Sequence, residues 1–468
     1  MPLSKLKKMF SNLFSKSEIS LENINSLGNV YVEKPEGWFD KLKGKYGVAY
    51  RPVVKNLEAR FTEAESQKQT VLKLRHIDVN YGSAFRKFKA VKDVSLNIYK
   101  GEILGLVGES GSGKSTMGNV IAGLVNRSFG SMEVLGKSVP KKRSRIKKDL
   151  RYFLINKIQM IFQDPAGSLN PHKNIFKITK EGLDNLTNLK SLFLKMKIDE
   201  IILKLDEKIK EYNLENTLNW NLKNLEELNK NSTNQAIEFL FSKFNTKIKA
   251  LSKDSESIEL KRIAAYLAVS KTEVKNLQSS NLRKEKREWI INTLKSVGLD
   301  SSVLERYPLE FSGGQQQRIG ITRSLVMRPT LLIADEPISA LDVSIQAQVI
   351  NIFNDLKDEY DLTMLLIAHD LRMVEYVSDR IAVMYKGRIV EIGKSHDIAK
   401  NSYHPYTKSL LDAIPSLESK QGSLIGYVYN PEMHKYTDKI QPEWIQISQD
   451  HFILATHEEF NQWKNGNY

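Results

Sequence analysis

The chain has no cysteine. That absence excludes disulfides, thiol nucleophiles and any zinc or iron-sulfur site held by cysteine thiolates. Long hydrophobic runs are missing too. A helix that crosses a bilayer needs about 20 consecutive apolar residues, and the longest runs here are short stretches such as residues 364–368. A role in moving material across a membrane therefore requires separate membrane-spanning partners. The first residues lack the apolar core of a secretory signal peptide, so none is expected. Acidic residues are in deficit: 55 Asp and Glu face 70 Lys and Arg, a formal net charge of +15. The surplus suggests an anionic neighbour, either a membrane surface or nucleic acid, and charge alone does not choose between them. Hydrophobic residues make up 41% of the 468. That is enough for a real core, in one domain with large additions or in two to three domains.

What is present divides the chain into five segments: 1–70, 71–185, 186–283, 284–416 and 417–468. The first opens with Leu3, Leu6, Phe10, Leu13 and Phe14 at helical spacing beside Lys5, Lys7, Lys8 and Lys16. Such a helix can lie on a membrane surface or dock on protein. From Val71 the texture changes to short β-type runs punctuated by glycine. Ile103, Leu104, Gly105, Leu106 and Val107 read as a buried strand entering a glycine-rich turn, with a helix over 116–124. Further buried strands at 331–334 and 364–368 flank a helical stretch at 344–357, the rhythm of a parallel α/β sheet. Segment 186–283 is nearly free of Gly and Pro. Ile202, Leu205, Ile209 and Tyr212, then Ile237, Phe241, Phe244, Ile248 and Leu251, recur every three to four residues. This predicts an all-α insertion of amphipathic helices. The basic run 137–151 reads as a solvated face, and the tail carries scattered aromatics without a legible motif.

Two elements carry phosphate chemistry. Gly108, Glu109, Ser110, Gly111, Ser112, Gly113, Lys114 and Ser115 match the P-loop pattern in its required setting, after a buried strand and before the helix that Thr116 continues. Glycines let backbone N–H groups converge on phosphate oxygens, and the helix N-terminus adds its dipole. Lys114 is expected to bridge the β and γ phosphates of ATP, and Ser115 to ligate Mg²⁺. Downstream, four apolar residues deliver Asp335 and Glu336 to the C-terminal end of a strand, where ligands of open α/β sheets sit. Asp335 is expected to hold Mg²⁺ and Glu336 to polarise the attacking water.

Phe311, Ser312, Gly313, Gly314, Gln315, Gln316, Gln317 and Arg318 precede that strand, and this run resembles the signature motif of ATP-binding cassette ATPases. A hydroxyl and glycine amides heading a helix suit a second phosphate cradle. The resemblance implies a P-loop α/β core, with a mostly parallel sheet, an antiparallel β subdomain and a helical subdomain, here carrying the all-α insertion. It also implies that two subunits pack head to tail, so that Ser312, Gly313, Gly314 and Gln315 of one face the P-loop of the other. Tyr81 then matches the residue that stacks on adenine. Gln163 matches the glutamine that meets Mg²⁺ and the attacking water. Ser339, Ala340, Leu341 and Asp342 match the loop that contacts the facing subunit, and His369 matches the switch histidine at the γ-phosphate.

Within that family the chain resembles the ATP-binding subunits of oligopeptide and dipeptide importers, of the F-type. The carrying residues are FQDPAGSLN at 162–170, YPLEFSGGQQQR at 307–318, ADEPISALDVSIQAQV at 334–349, HPYTKSLL at 404–411 and the Ala413, Ile414, Pro415 that follow. The implied partners are a paralogous D-type ATPase, two transmembrane permease subunits and an extracellular peptide-binding protein. The implied location is the cytoplasmic face of the cell membrane, held peripherally, and no nucleic acid is expected. Two other readings come from the residues. Arg262 to Val274 has the cadence of a helix-turn-helix, with Ala268 where the turn usually takes glycine, which opens a DNA-binding role for a basic chain. A soluble cassette ATPase acting on ribosomes or DNA commonly carries two cassettes, whereas this chain has one P-loop and one signature.

Overall fold

The computed structural model describes residues 30–33, 50–61, 67–83, 86–186, 188–254, 257–339, 341–413, 427–437 and 440–467. The basic segment at 3–16 lies outside the described residues. The chain divides into two compact units, one from Met1–Pro171 with Pro308–Tyr468 and one from His172–Tyr307.

The strands of the first unit are β1 (Val30–Val32), β2 (Tyr50–Pro52), β3 (Thr70–Ser83), β4 (Arg86–Tyr99), β5 (Ile103–Val107), β6 (Phe129–Val134), β7 (Lys137–Val139), β8 (Ile158–Ile161), β9 (Leu331–Asp335), β10 (Thr363–Ala368), β11 (Arg380–Tyr385), β12 (Arg388–Lys394), β13 (Glu443–Ser448) and β14 (His451–Ala455). Eight form one sheet in the order β13-β14-β12-β11-β5-β10-β9-β8. From β11 to β8 every pairing is parallel, and β12, β14 and β13 continue the sheet antiparallel. Every residue of β5, β9 and β10 is buried. Parallel strands covered on both faces read as continuous apolar runs, which is why these three are legible in the sequence. A second, antiparallel sheet of β4-β3-β6-β7 shares its core with the first, where Leu72, Leu74 and Met132 join Leu104, Met117 and Ile333 in one cluster.

The tail adds structure that the sequence did not announce. β13 and β14 form a hairpin through Asp450, whose φ is 70°, and β14 pairs with β12. A capping box between Thr456 and Glu459 then starts helix His457–Lys464, which buries Trp463.

The second unit is helical. Helices Leu189–Glu211 and Ile258–Ser279, with the chain between them, bury Ile202, Leu205, Ile209, Phe241, Phe244, Ile248, Ile263 and Leu267. Each such side chain contributes roughly 1.5–3 kcal/mol, and all eight belong to one cluster drawn from this unit alone. Residues 262–274 lie inside one continuous helix, with no turn at Ala268. The helix-turn-helix reading is therefore wrong. Ile263, Leu267, Ser270 and Val274 are the buried residues of one unbroken stripe.

Helices Ile175–Asp184 and Leu282–Ser296 flank this core and meet through Asp184 and Lys286. A Gly/Ser linker replacing 186–283 would thus join two points already close together. The shortened chain, in complex with its native partners, is expected to keep its ATP affinity within a few-fold, because loop replacement changes closure entropy only slightly. Nucleotide titration of a folded deletion tests this, and complete loss of binding would show the helical segment to be part of the catalytic body.

Candidate functional site

Four adjacent strands end together at one sheet edge. β5 pairs Val107 with Ala368 of β10, β10 pairs Ile367 with Asp335 of β9, and β9 pairs Ala334 with Ile161 of β8. The residues that follow these ends are Gly108, His369, Glu336 and, two beyond Ile161, Gln163. Parallel register alone thus lines up four of the sequence-predicted positions.

The loop after β5 is held by glycines that no other residue could replace without strain. Gly108 has φ 153° and Gly113 φ 105°. A Cβ on Gly108 would lie 2.1 Å from the Met384 carbonyl, and one on Gly113 2.6 Å from the Ala90 carbonyl. The turn closes around Lys114, which heads helix Lys114–Ile121 and is buried. Its ammonium donates to the carbonyls of Gly108 (2.7 Å) and Glu109 (2.8 Å). Burial lowers its pKa, against the pull of the Glu336, Asp335 and Glu109 carboxylates. The Ser112 hydroxyl is buried without a hydrogen-bond partner. A desolvated cation and an orphan hydroxyl at the start of a helix fit a polyphosphate.

The Ser115 hydroxyl donates to Asp335 Oδ1 at 2.9 Å. Burial raises the Asp335 pKa, the Ser115 bond opposes that, and the neighbouring Glu336 charge adds to it. Two hard oxygen donors side by side suit Mg²⁺. Glu336 itself has φ 46°, a left-handed conformation that costs a non-glycine residue roughly 1–2 kcal/mol. Its N–H donates to the Ile367 carbonyl at 2.9 Å, and its carbonyl accepts from the Ser339 hydroxyl at 3.1 Å. These bonds hold the twist and turn the carboxylate toward Gln163, whose Nε2 donates to Glu336 Oε2 at 2.9 Å. His369 Nδ1 lies 3.9 Å from the same oxygen.

The remaining predicted positions stand apart from this cluster. Ser312 caps helix Gly313–Leu325 in a reciprocal capping box with Gln315. No hydrogen bond among the described residues joins Ser312, Gly313, Gly314 or Gln315 to the P-loop. Space is open beyond Gly313, whereas Gly314 packs against Ile345. Asp342 caps helix Val343–Tyr360 through its backbone carbonyl. Tyr81 is exposed on β3 and pairs across strands with Phe88 of β4, also exposed. Phe88 is a second aromatic surface at that position, and the sequence reading passed over it.

Two supports of the P-loop also escaped the sequence reading. Gly387, in the turn between β11 and β12 at φ 89°, donates its N–H to the Ser112 carbonyl at 2.8 Å. Tyr406 accepts the Glu109 N–H on its hydroxyl at 2.8 Å. Tyr406 is fully buried and packs against the rings of Tyr385 and Tyr429. It belongs to the 404–411 segment that served only as a marker of branch. Nothing local tells that this segment reaches a loop some 300 positions earlier in the chain.

Comparison with known proteins bears on this arrangement. Residues 91–339, more than half of the chain, match the family described as ABC transporter. Residues 390–438 match the family described as oligopeptide/dipeptide transporter, C-terminal region. An "Oligopeptide transport ATP-binding protein OppF" of Streptococcus pyogenes serotype M1 is 36% identical over 400 residues, 85% of this chain and 98% of the relative. The protein of the same name from Bacillus subtilis (strain 168) is 36% identical over 393 residues, covering 84% and 98%. The "Dipeptide transport ATP-binding protein DppF" of Lactococcus lactis subsp. cremoris (strain MG1363) is 35% identical over 405 residues, covering 85% and 98%. With residues 91–339 matching the first family model and relatives 35–36% identical along nearly their whole length, the chain belongs to the ATP-binding cassette transporter family, as an ATP-hydrolysing subunit.

Proposed function

We propose that this chain hydrolyses ATP, with Mg²⁺, as one half of a head-to-tail ATPase pair that powers oligopeptide import. The observation that carries the reading is the convergence of Gln163 and His369 on the Glu336 carboxylate, beside the Ser115–Asp335 bond and the P-loop. The peptide branch is supported by the match at 390–438 and by the names of the relatives. Among the described residues no helix is long and apolar enough to cross a membrane. The chain accordingly works with two permease subunits and an extracellular peptide-binding protein, lying peripherally on the cytoplasmic face. Its partner in the pair is a paralogous D-type subunit.

In this reading Lys114 exchanges its two carbonyl partners for β- and γ-phosphate oxygens, and Ser112 and the loop amides close around them. Tyr81 stacks on the adenine. Ser115, Asp335 and Gln163 would hold Mg²⁺, and the ion would supply neutralisation of phosphate charge. Glu336 orients and polarises the attacking water, and Gln163 and His369 fix the carboxylate and sense the γ-phosphate. Ser312, Gly313, Gly314 and Gln315 present their helix N-terminus to the nucleotide of the partner subunit, and Asp342 contacts that subunit. The 186–283 segment is an insertion on this machinery rather than part of it.

Three substitutions test the assignments. Glu336→Gln keeps shape and removes the carboxylate, so ATP binding is expected to persist while steady-state hydrolysis falls by about 10²-fold or more. Near-normal turnover would remove Glu336 from this role. Lys114→Ala is expected to weaken ATP binding itself, read with a fluorescent analogue, because a charge-assisted contact to phosphate is lost. Tyr406→Phe deletes only the acceptor of the Glu109 N–H, at roughly 1 kcal/mol, so the ATP dissociation constant should rise about fivefold with kcat within twofold. An unchanged dissociation constant would show that the loop holds its shape without this hydroxyl.

A further inference from the structure

A cavity of about 390 Å³ opens in the first unit, within the roughly 300–1,000 Å³ range of small-molecule sites. None of the residues assigned above to ATP lines it. Lys92, Lys386, Arg388, His404, Tyr429 and Tyr436 do, and no Asp or Glu does. Its walls are bonded to the P-loop at two points. Lys386 and Arg388 flank Gly387, which donates to Ser112, and His404 opens the helix whose Tyr406 accepts from Glu109.

Lys92, Lys386 and Arg388 form no ion pair among the described residues, whereas the nearby Glu459 carboxylate is already engaged by His434 and the Thr456 N–H. The Lys92 ammonium is destabilised by burial first and then by Arg388, Lys89 and Lys386, so the convergence of like charge is close enough to be felt. Three cations converging on one cavity set up a positive potential that concentrates an anionic ligand.

His404 adds a buried donor. It is 2% exposed, and its Nδ1 accepts the Tyr406 N–H at 3.1 Å. Burial, followed by the neighbouring His434, holds its pKa down at about 3. The ring is neutral, and with Nδ1 occupied as acceptor its proton sits on Nε2. That N–H has no partner among the described residues, on a side chain that lines the cavity. An acceptor brought by a ligand can meet it there.

We propose that this cavity is a second ligand site, distinct from the P-loop, that takes a mononucleotide-sized phosphorylated molecule: phosphate against Lys92, Lys386 and Arg388, planar ring against Tyr429 and Tyr436, and an acceptor on His404 Nε2–H. Because both walls are bonded to the P-loop, occupation of this site reaches the nucleotide cradle without touching it.

The test is calorimetric titration of AMP into the full chain carrying Lys114→Ala, which weakens the P-loop site. One saturable event is expected. Adding Lys386→Glu and Arg388→Glu, both exposed side chains, should weaken it by about tenfold or more. Arg388→Gln alone should weaken it about threefold, and adenosine should not bind measurably. The proposal is overturned if AMP fails to saturate by about 1 mM, if either charge variant leaves its affinity unchanged, or if adenosine binds as tightly as AMP.

Discussion

The site depends on the stagger of four parallel strands. β5, β10, β9 and β8 end level because Val107 lies opposite Ala368, Ile367 opposite Asp335 and Ala334 opposite Ile161. A slip of one residue would turn every side chain to the opposite face and advance the chain by about 3.3 Å. The 2.9 Å bond between Gln163 and Glu336 does not survive such a slip. Register is enforced by burial on both faces, since each displaced Ile, Leu or Val would lose a fitted place in a close-packed core. The geometry of the site is in this sense a by-product of packing. The strand interiors set where the loops begin, and the loops need only short turns to bring Lys114, Asp335 and Glu336 together.

That dependence also explains what the sequence disclosed. β5, β9 and β10 stand out as apolar runs because they are covered on both sides, and the P-loop is legible because its glycines are required by backbone approach to Met384 and Ala90. The helical unit announced itself through spacings of three and four. Reading failed where the determining contact is distant. β13 buries Trp444 on one face and Ile445 on the other beside exposed Gln446, a weak pattern whose meaning lies in pairing with β14 and, through it, with β12. The supposed helix-turn-helix shows the converse error. A local cadence suggested a turn, while the stripe Ile263, Leu267, Ser270, Val274 runs straight through it. Tyr406 was visible as a motif residue, but its role depends on where its hydroxyl ends.

The C-terminal segment is tied to the core by one buried carboxylate. Glu391, fully buried on β12, accepts from the Tyr403 N–H (2.9 Å), the His404 N–H (3.2 Å) and His451 Nε2 (2.9 Å). A charge so deeply placed is tolerable only when its lone pairs are met. Two separate stretches of chain supply those partners: Tyr403 and His404, which lead into helix Pro405–Asp412, and β14. Tyr406 then carries the connection on to Glu109. The tail that lacked a legible motif is thus one end of a continuous polar path to the nucleotide cradle.

The placement of the helical unit in the chain has a temporal consequence. β5 ends at Val107, yet its sheet neighbour β10 begins at Thr363 and its other neighbour β11 at Arg380. During synthesis the P-loop strand therefore emerges with neither flank available. Helices Leu189–Glu211 and Ile258–Ser279, whose contacts are local and whose core is their own, can fold meanwhile. For that interval β5 is a bare apolar strand with two open edges, the state most exposed to mispairing. The longer the helical segment, the longer that exposure at a given rate of elongation, so the insertion bears on how the chain reaches its fold as well as on the fold it reaches.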